Sequence, residues 1–308
     1  MEGKQVTELD ALPSFTDTSV LPVHNGAGLK KGTLSQLTDY IAERFSNPNL
    51  LLNSNFRVDQ RGYGTYTNNT TKPTYTLDRW MSINAKVVYN IDGTVTITSL
   101  ATTDTSSWFK QILEHAINDT CTLSCNITAV TGNAYLYNQT NGKKIVKGLN
   151  AVTLSSLKEA SIELKQGASI TIEWIKLEKG SKATTYVAPI YAEELKKCEY
   201  YYTKIELKDS SLIVAGMNDA YIYVPHIEMR TKPTLSLNKS SIKFWNFTES
   251  NVNNAKAVNI TLDKIVQSQG YDDVISFRGS FGSQPVQFGR IIASNSDFTV
   301  VKLDAEIY

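Results

Sequence analysis

The side chains able to do chemistry are few and widely spaced. The three histidines, His24, His115 and His226, fall in three separate regions. A hydrolytic triad needs a base beside a nucleophile and an acid that orients the base, and no stretch reads as a nucleophile elbow. His115 sits in "KQILEHAIND" with no second ligand four residues on, so it lacks the spacing of a zinc-binding helix. Neither a Walker phosphate loop nor a strand–GxGxxG–helix unit occurs. Glycosidic cleavage requires two carboxyls across a cleft, whereas the Asp and Glu residues here are spread as on a solvated face. The stacked repeats of a β-helical depolymerase are missing too. The expectation is a protein that is not an enzyme and uses no metal and no cofactor.

Three cysteines cannot build a disulfide framework. In "CTLSCNITAV", Cys121, Leu123, Cys125, Ile127 and Ala129 alternate with polar residues, the pattern of a half-buried strand. The two Cα atoms are then roughly 13 Å apart, beyond the ~7 Å reach of a disulfide. Both read as core thiols, and Cys198 as a packed one.

At 308 residues, 41% hydrophobic and 20% charged, the chain can bury ample core in two medium domains plus an arm. A net charge of +1 gives no reason to expect nucleic acid as partner. The opening "MEGKQVTELDALPSF" lacks the basic-then-apolar run of a secretory signal, and no apolar run nears the ~20 residues that span a bilayer. Synthesis in a cytoplasm without membrane insertion is expected. The Asn-X-Ser/Thr triplets at Asn126, Asn138, Asn246 and Asn259 follow from composition.

Residues 1–46 hold few apolar side chains and are broken by Pro13, Pro22, Gly26, Gly28 and Gly32, so they bury little alone. They read either as a leader with a small surface helix or as a docking arm. "TLSQLTDYIAERF" predicts that helix, with Thr33 and Gln36 at capping-box spacing and Leu34, Leu37, Ile41 and Phe45 as its apolar stripe. Residues 47–190 are strand-rich. Hairpins are expected around Asp92-Gly93, as a type I′ turn, around Asn141-Gly142, and around Gln166-Gly167, where Ile162 and Leu164 would answer Ile170, Ile172 and Trp174. Trp80, Trp108 and Trp174 read as core aromatics. Residues 191–308 begin with a short helix carrying Ala192, Leu195, Cys198 and Tyr202, which needs a neighbour, either its own domain or sister subunits. Strands follow. The fold class is mainly β: two antiparallel, jelly-roll-like β-sandwich domains joined by a short helix and preceded by an extended arm.

The stretch "NLLLNSNFRVDQRGYGTYT…YTLDRWMS" resembles the opening of a β-sandwich module of bacteriophage tail-fibre and receptor-binding proteins, through Asn53, Asn55, Phe56, Gln60, Arg61, Gly62, Asp78, Arg79 and Trp80. "KLEKGSKATTYVAPIYAEELKKCEYYY" is similar to that module's closure, through Leu177, Glu178, Gly180, Ala183, Thr184, Glu194, Cys198, Tyr200 and Tyr201. "YVPHIEMRTKPTLSL" resembles a distal-domain stretch at Val224, Met229, Arg230 and Pro233. The first 46 residues resemble a virion attachment peptide. Asp59, Lys176 and Lys197 depart from the pattern. The resemblance implies a homotrimeric virion component with an attachment arm that contacts other virion proteins, a carbohydrate-binding-module-like domain and a distal domain facing the host.

The function expected is non-catalytic recognition of a host-surface glycan or protein. The alternatives are a head, collar or baseplate decoration protein, and a depolymerase. Candidate ligand-facing aromatics are Tyr221, Tyr223, Trp245, Phe247 and Tyr271; Tyr221 and Tyr223 share a strand face that fits a core equally well. The motif residues are expected to set the fold, with Arg79 and Arg230 anchoring carbonyls or a carboxylate.

Overall fold

Alternating apolar residues become strands along about half of the chain, and the protein is mainly β with large antiparallel sheets. The computed structural model describes residues 16, 18–24, 28–42, 46–103, 105–207, 213–215, 219–225, 227–237, 244–246, 261–267, 274–280, 288–291 and 299–308. Strands β1 (Val20–His24) and β2 (Leu29–Thr33) pair as a hairpin that leads into helix α1 (Leu34–Ala42). Thr33 and Gln36 cap α1 reciprocally: the Thr33 N–H donates to Gln36 Oε1 at 2.9 Å, and the Gln36 N–H to Thr33 Oγ1 at 3.2 Å. On the expected stripe, Leu34 is half-buried and Leu37 exposed. The side chain of Ile41 and the whole of Phe45 lie outside the described residues.

The central sheet contains β3 (Thr65–Asn68), β4 (Thr74–Tyr75), β5 (Met81–Ile83), β6 (Ala85–Tyr89), β7 (Val95–Ser99), β8 (Ser107–Thr131), β9 (Ala134–Leu136), β10 (Lys143–Lys144), β11 (Gly148–Leu164) and β12 (Ser169–Lys179). Its spine is the long antiparallel pair β8–β11. Residues 121–131 of β8 are flanked by β12, from which the sheet continues through β7 and β6 to β3. Residues 108–110 of the same strand are flanked instead by β5, and through it β4. One strand therefore serves two sets of neighbours, and both feed one hydrophobic cluster.

At the centre of that cluster Phe56, Trp80 and Phe109 are fully buried. Trp80 and Phe109 stack at 4.9 Å with planes 8° apart, and Phe56 meets the indole edge-on at 5.4 Å. The indole N–H donates to the Asn53 carbonyl at 3.0 Å, so the ring is buried with its donor paired. Cys121 and Cys125 are fully buried free thiols in the same cluster, and burial pushes the Cys125 thiol up to about 12.

Three local expectations are corrected. Trp108 and Trp174 are half-buried rather than core. Strand alternation gives the inward positions around Trp108 to Ser107 and Phe109, while a register shift between Ile172 and Trp174 turns that indole outward. Asp92-Gly93 is not a type I′ turn. Only Gly93 has positive φ, +84°, and its N–H donates to the Asn90 carbonyl, so a three-residue loop ends on a left-handed glycine. Gln166-Gly167 does turn the chain, yet β11 and β12 do not pair, because β8 lies between them. The Asn141-Gly142 hairpin forms as β9–β10.

Helix α2 (Tyr191–Glu199) follows, then β13 (Tyr202–Leu207), β14 (Ile213–Ala215), β15 (Asp219–Pro225), β16 (Thr234–Leu237), β17 (Phe244–Asn246), β18 (Thr261–Gln267), β19 (Val274–Ser280), β20 (Phe288–Ile291) and β21 (Thr299–Asp304). β21 lies between β13 and β16, and the other six strands form a separate antiparallel sheet.

The inward and outward sides of β8 give a direct check. Phe109→Ala should lower the unfolding free energy by about 3–5 kcal/mol, and Trp108→Ala by well under half of that, measured by chemical denaturation.

Candidate functional site

Left-handed backbone positions bring the motif residues together. Asn53, Phe56 and Arg79 have φ of 51°, 61° and 68°, a conformation that is unfavourable for Phe and Arg and persists only where the surroundings impose it. The Asn53 side chain ties its turn: its amide donates to the carbonyls of Val58 and Asp78 at 2.8 and 2.9 Å, and its Oδ1 accepts from the Val58 N–H at 2.9 Å. A fully buried amide thus has both donors and its acceptor matched.

Asp78, also fully buried, accepts the backbone N–H and the side-chain amide of Gln60, each at 2.7 Å. The same Gln60 amide donates to the Tyr202 carbonyl at 2.6 Å. Next in sequence to Gln60 and Asp78 stand two arginines. Arg79 donates to the Glu306 carboxylate through its guanidinium and its backbone N–H, and to the Ile112 carbonyl at 2.9 Å. Arg61 approaches the same carboxylate at 3.5 Å and Asp78 at 4.0 Å. Tyrosine rings cover both guanidiniums, Tyr201 at 3.7 Å from Arg79 and Tyr202 at 3.8 Å from Arg61. Two cations thus face two carboxyls, and the Glu306 side chain is 0% exposed.

The rest of the junction is backbone-directed. Arg230 donates to the carbonyls of Ala305 (2.9 Å) and Glu306 (3.2 Å), and its backbone N–H to that of Tyr200. The Ala305 N–H donates to the Tyr201 carbonyl at 2.8 Å, and the Tyr75 hydroxyl to the Ile307 carbonyl. Helix α2 closes the site with Glu194 and Cys198, one turn apart and both buried. The Glu194 carboxylate accepts the Asn53 N–H. This corrects the expected stripe on α2: Ala192 is exposed and Leu195 half-buried, because the motif loop demands a carboxylate from the inward face.

A second buried cluster forms around the closing motif. Lys176 and Glu178 pair at 3.2 Å at 1% and 0% exposure. Glu178 accepts the N–H and hydroxyl of Thr184, while Lys176 donates to the Thr184 hydroxyl (2.7 Å) and the Thr185 carbonyl (3.0 Å). Lys176, which departs from the pattern of the resemblance, is therefore a satisfied buried cation. Asp59, another, accepts the Gly62 N–H at 2.8 Å and the Tyr66 hydroxyl, stitching the turn at Gly62, whose φ is +70°.

Of the other motif positions, Leu177 is buried, Gly180 holds a φ of +106°, Met229 is buried, and Asn55 and Pro233 are half-buried. Among the aromatic candidates, Tyr221 and Tyr223 lie in β15, opposite Arg278 and Ser276 of β19, and Trp245 lies in β17 opposite Arg290. The structure describes only backbone there; their side chains, and all of Phe247 and Tyr271, lie outside the described residues.

The junction can hold elements together but offers no poised acid–base pair, because Asp78, Glu194 and Glu306 are each bound by arginine, amide or backbone donors. Burial pushes the Asp78 carboxyl up to about 6, against the pull of Arg61 and the Gln60 hydrogen bonds. Glu306 is the junction residue that sequence reasoning missed. It sits on the polar side of "KLDAEIY", and nothing local marks it as the partner of arginines more than two hundred residues earlier. No family model matches the chain, and no curated protein matches it either.

Two outcomes are expected. Glu306→Gln leaves a buried guanidinium unpaired and should cost about 3–5 kcal/mol of unfolding free energy, measured in urea. Asp78 holds its proton to a higher pH when folded, so its contribution to stability grows as pH falls from about 6 toward the ordinary 3.8 and is lost as pH rises back through 6. Wild type minus Asp78→Asn should then show a slope of up to about 1.4 kcal/mol per pH unit in that window and none above it.

Proposed function

We propose that this chain is a bacteriophage appendage protein that recognises a host-surface glycan or protein without catalysis. It attaches to the particle through residues 1–46 and presents two β-sandwich modules. The observation that carries this reading is the junction. Many of the residues that support the resemblance meet there and bond to each other: Asn53 to Asp78, Trp80 and Glu194, Gln60 to Asp78, and Arg230 to the Tyr200 carbonyl. The motif thus works as a rigid coupling between the first module, helix α2 and the strands that follow, as a fibre that must hold its tip at a fixed attitude requires.

A homotrimer agrees with the apolar surface left around α2. Val187, Ile190 and Tyr191 are 64%, 65% and 54% exposed, an exposure that a sister subunit would relieve. Several copies would also raise weak glycan contacts by about 10²–10⁴-fold through avidity. A particle-decoration role has one feature in its favour: Leu29, Leu37 and Tyr40 of the N-terminal hairpin and helix are exposed as well, a surface suited to another virion protein.

Cell binding separates the two. Free full-length protein should adsorb to susceptible bacterial strains and block infection by the parent particle, and a version lacking residues 1–46 should keep adsorption while failing to enter particles. A chain that enters particles but never adsorbs as free protein would leave only the decoration role. Removing residues 190–308 would be a poor test of a distal site, because it also strips Glu306 from Arg61 and Arg79.

A further inference from the structure

A cleft of about 580 Å³ opens between the loop joining β9 to β10 and the middle of the β8–β11 spine, within the usual size range of ligand sites. Its polar lining comes from Thr120, Tyr137, Asn141, Thr153, Ser155 and Ser156: five hydroxyls and one amide, none of them a charged group. Thr153 donates to the Ser181 carbonyl. Among the described residues, the side chains of the other five have no hydrogen-bond partner.

Both walls are built stiffly. Among the described residues six non-glycines have positive φ; three are in the junction, and two of the others, Tyr137 (76°) and Ser156 (58°), line this cleft. Strain of this kind survives only where neighbours over-determine it, and it gathers at ligand sites. Tyr137 is pinned by Ser161, whose carbonyl accepts its N–H at 2.7 Å and whose hydroxyl donates to its carbonyl at 3.0 Å. Asn138 Oδ1 accepts the N–H groups of Thr140 and Asn141. A Cβ on Gly142 would lie 2.1 Å from the Leu136 carbonyl oxygen, so only glycine lets the loop close. On the opposite wall the β11 register against β8 shifts on either side of Leu157, and bulges of this kind re-aim neighbouring side chains.

We propose that this cleft binds an uncharged sugar unit, with the Tyr137 ring against the sugar's C–H face and the Asn141 amide and the hydroxyls of Thr120, Ser155 and Ser156 as its hydrogen-bond partners. The inference rests on the glycan-recognition reading above and places a site on β8, β11 and the β9–β10 loop, built from residues other than the candidate aromatics. A neutral polyol matches a lining of hydroxyl and amide groups, whereas an anionic glycan would meet no cation on these side chains.

The test uses the full chain on an array of neutral hexose and N-acetylhexosamine oligosaccharides beside uronate and sialylated ones. At least one neutral oligosaccharide should bind, and Tyr137→Leu and Asn141→Ala should each weaken it roughly tenfold or more. Asn141 is exposed and its backbone bond to Asn138 survives truncation, so that variant should keep the wild-type melting temperature even if Tyr137→Leu unfolds. Binding confined to acidic glycans, no binding to any, or neutral-glycan binding that survives Asn141→Ala and Ser156→Gly overturns the site. In the last case glycan recognition stands and only its location fails. If the array signal is lost in the variants while the free chain adsorbs to no strain, the cleft stands and the adsorption role fails.

Discussion

The Glu306 carboxylate lies between Arg79 and Arg61 with none of its surface open to water. Everything around it follows from the cost of putting those charges there. Desolvating an ion costs several kcal/mol, so the guanidiniums are set against carboxylates, a carbonyl and aromatic faces, although Arg61 Nη1 and Arg79 Nε are left without a hydrogen-bond partner. Arg79 takes the Ile112 carbonyl and the Tyr201 ring, and Arg61 takes Asp78 and the Tyr202 ring. Asp78 in turn needs Gln60, which reaches across to Tyr202. A chain of obligations thus runs from the first motif loop, through α2 and β13, to the end of β21. Such a network is a weak source of net stability, but its partners are so particular that it defines one way of docking these elements.

The spine obeys a different constraint. β8 and β11 stay paired while β8 changes neighbours from β5 to β12, and the ladder shifts register near Ser155–Leu157. A long pair that serves two sets of partners needs an irregularity, and the register shift falls beside the left-handed Ser156. The irregularity that lets one strand enter both sets of neighbours also shapes the neutral cleft. The recognition site proposed for the chain and the architecture of the central sheet therefore share a cause.

Buried polar clusters at the junction and around the Lys176–Glu178 pair, matched except at Arg61 Nη1 and Arg79 Nε, contrast with a lining of unpaired hydroxyls at the cleft. Groups of the first kind bond to one another and keep elements in place. Those of the second remain open to a ligand. Among the described residues, no group of three or more His, Cys, Asp or Glu is placed to hold a metal.

Much of this was legible in the residues themselves. Period-two alternation marked β6, β7, β8 and β12, the Thr33–Gln36 spacing marked the cap of α1, and Cys121 and Cys125 declared their burial, because each of these depends on neighbours within a few positions. The same locality explains the misreadings: whether Gln166-Gly167 joins paired strands depends on β8 coming between them, and whether Trp174 faces inward depends on a bulge. Glu306 carried no local sign at all, and Glu194 was marked only as a position of the resemblance and not as a buried group, since a carboxylate becomes a core residue only when distant arginines or a bare N–H arrive opposite it. Sequence periodicity determined which stretches become strands and which side chains could line a core. Pairing order, register shifts and the destination of each buried charge were decided by the tertiary structure, because those depend on contacts between residues that no short-range pattern connects.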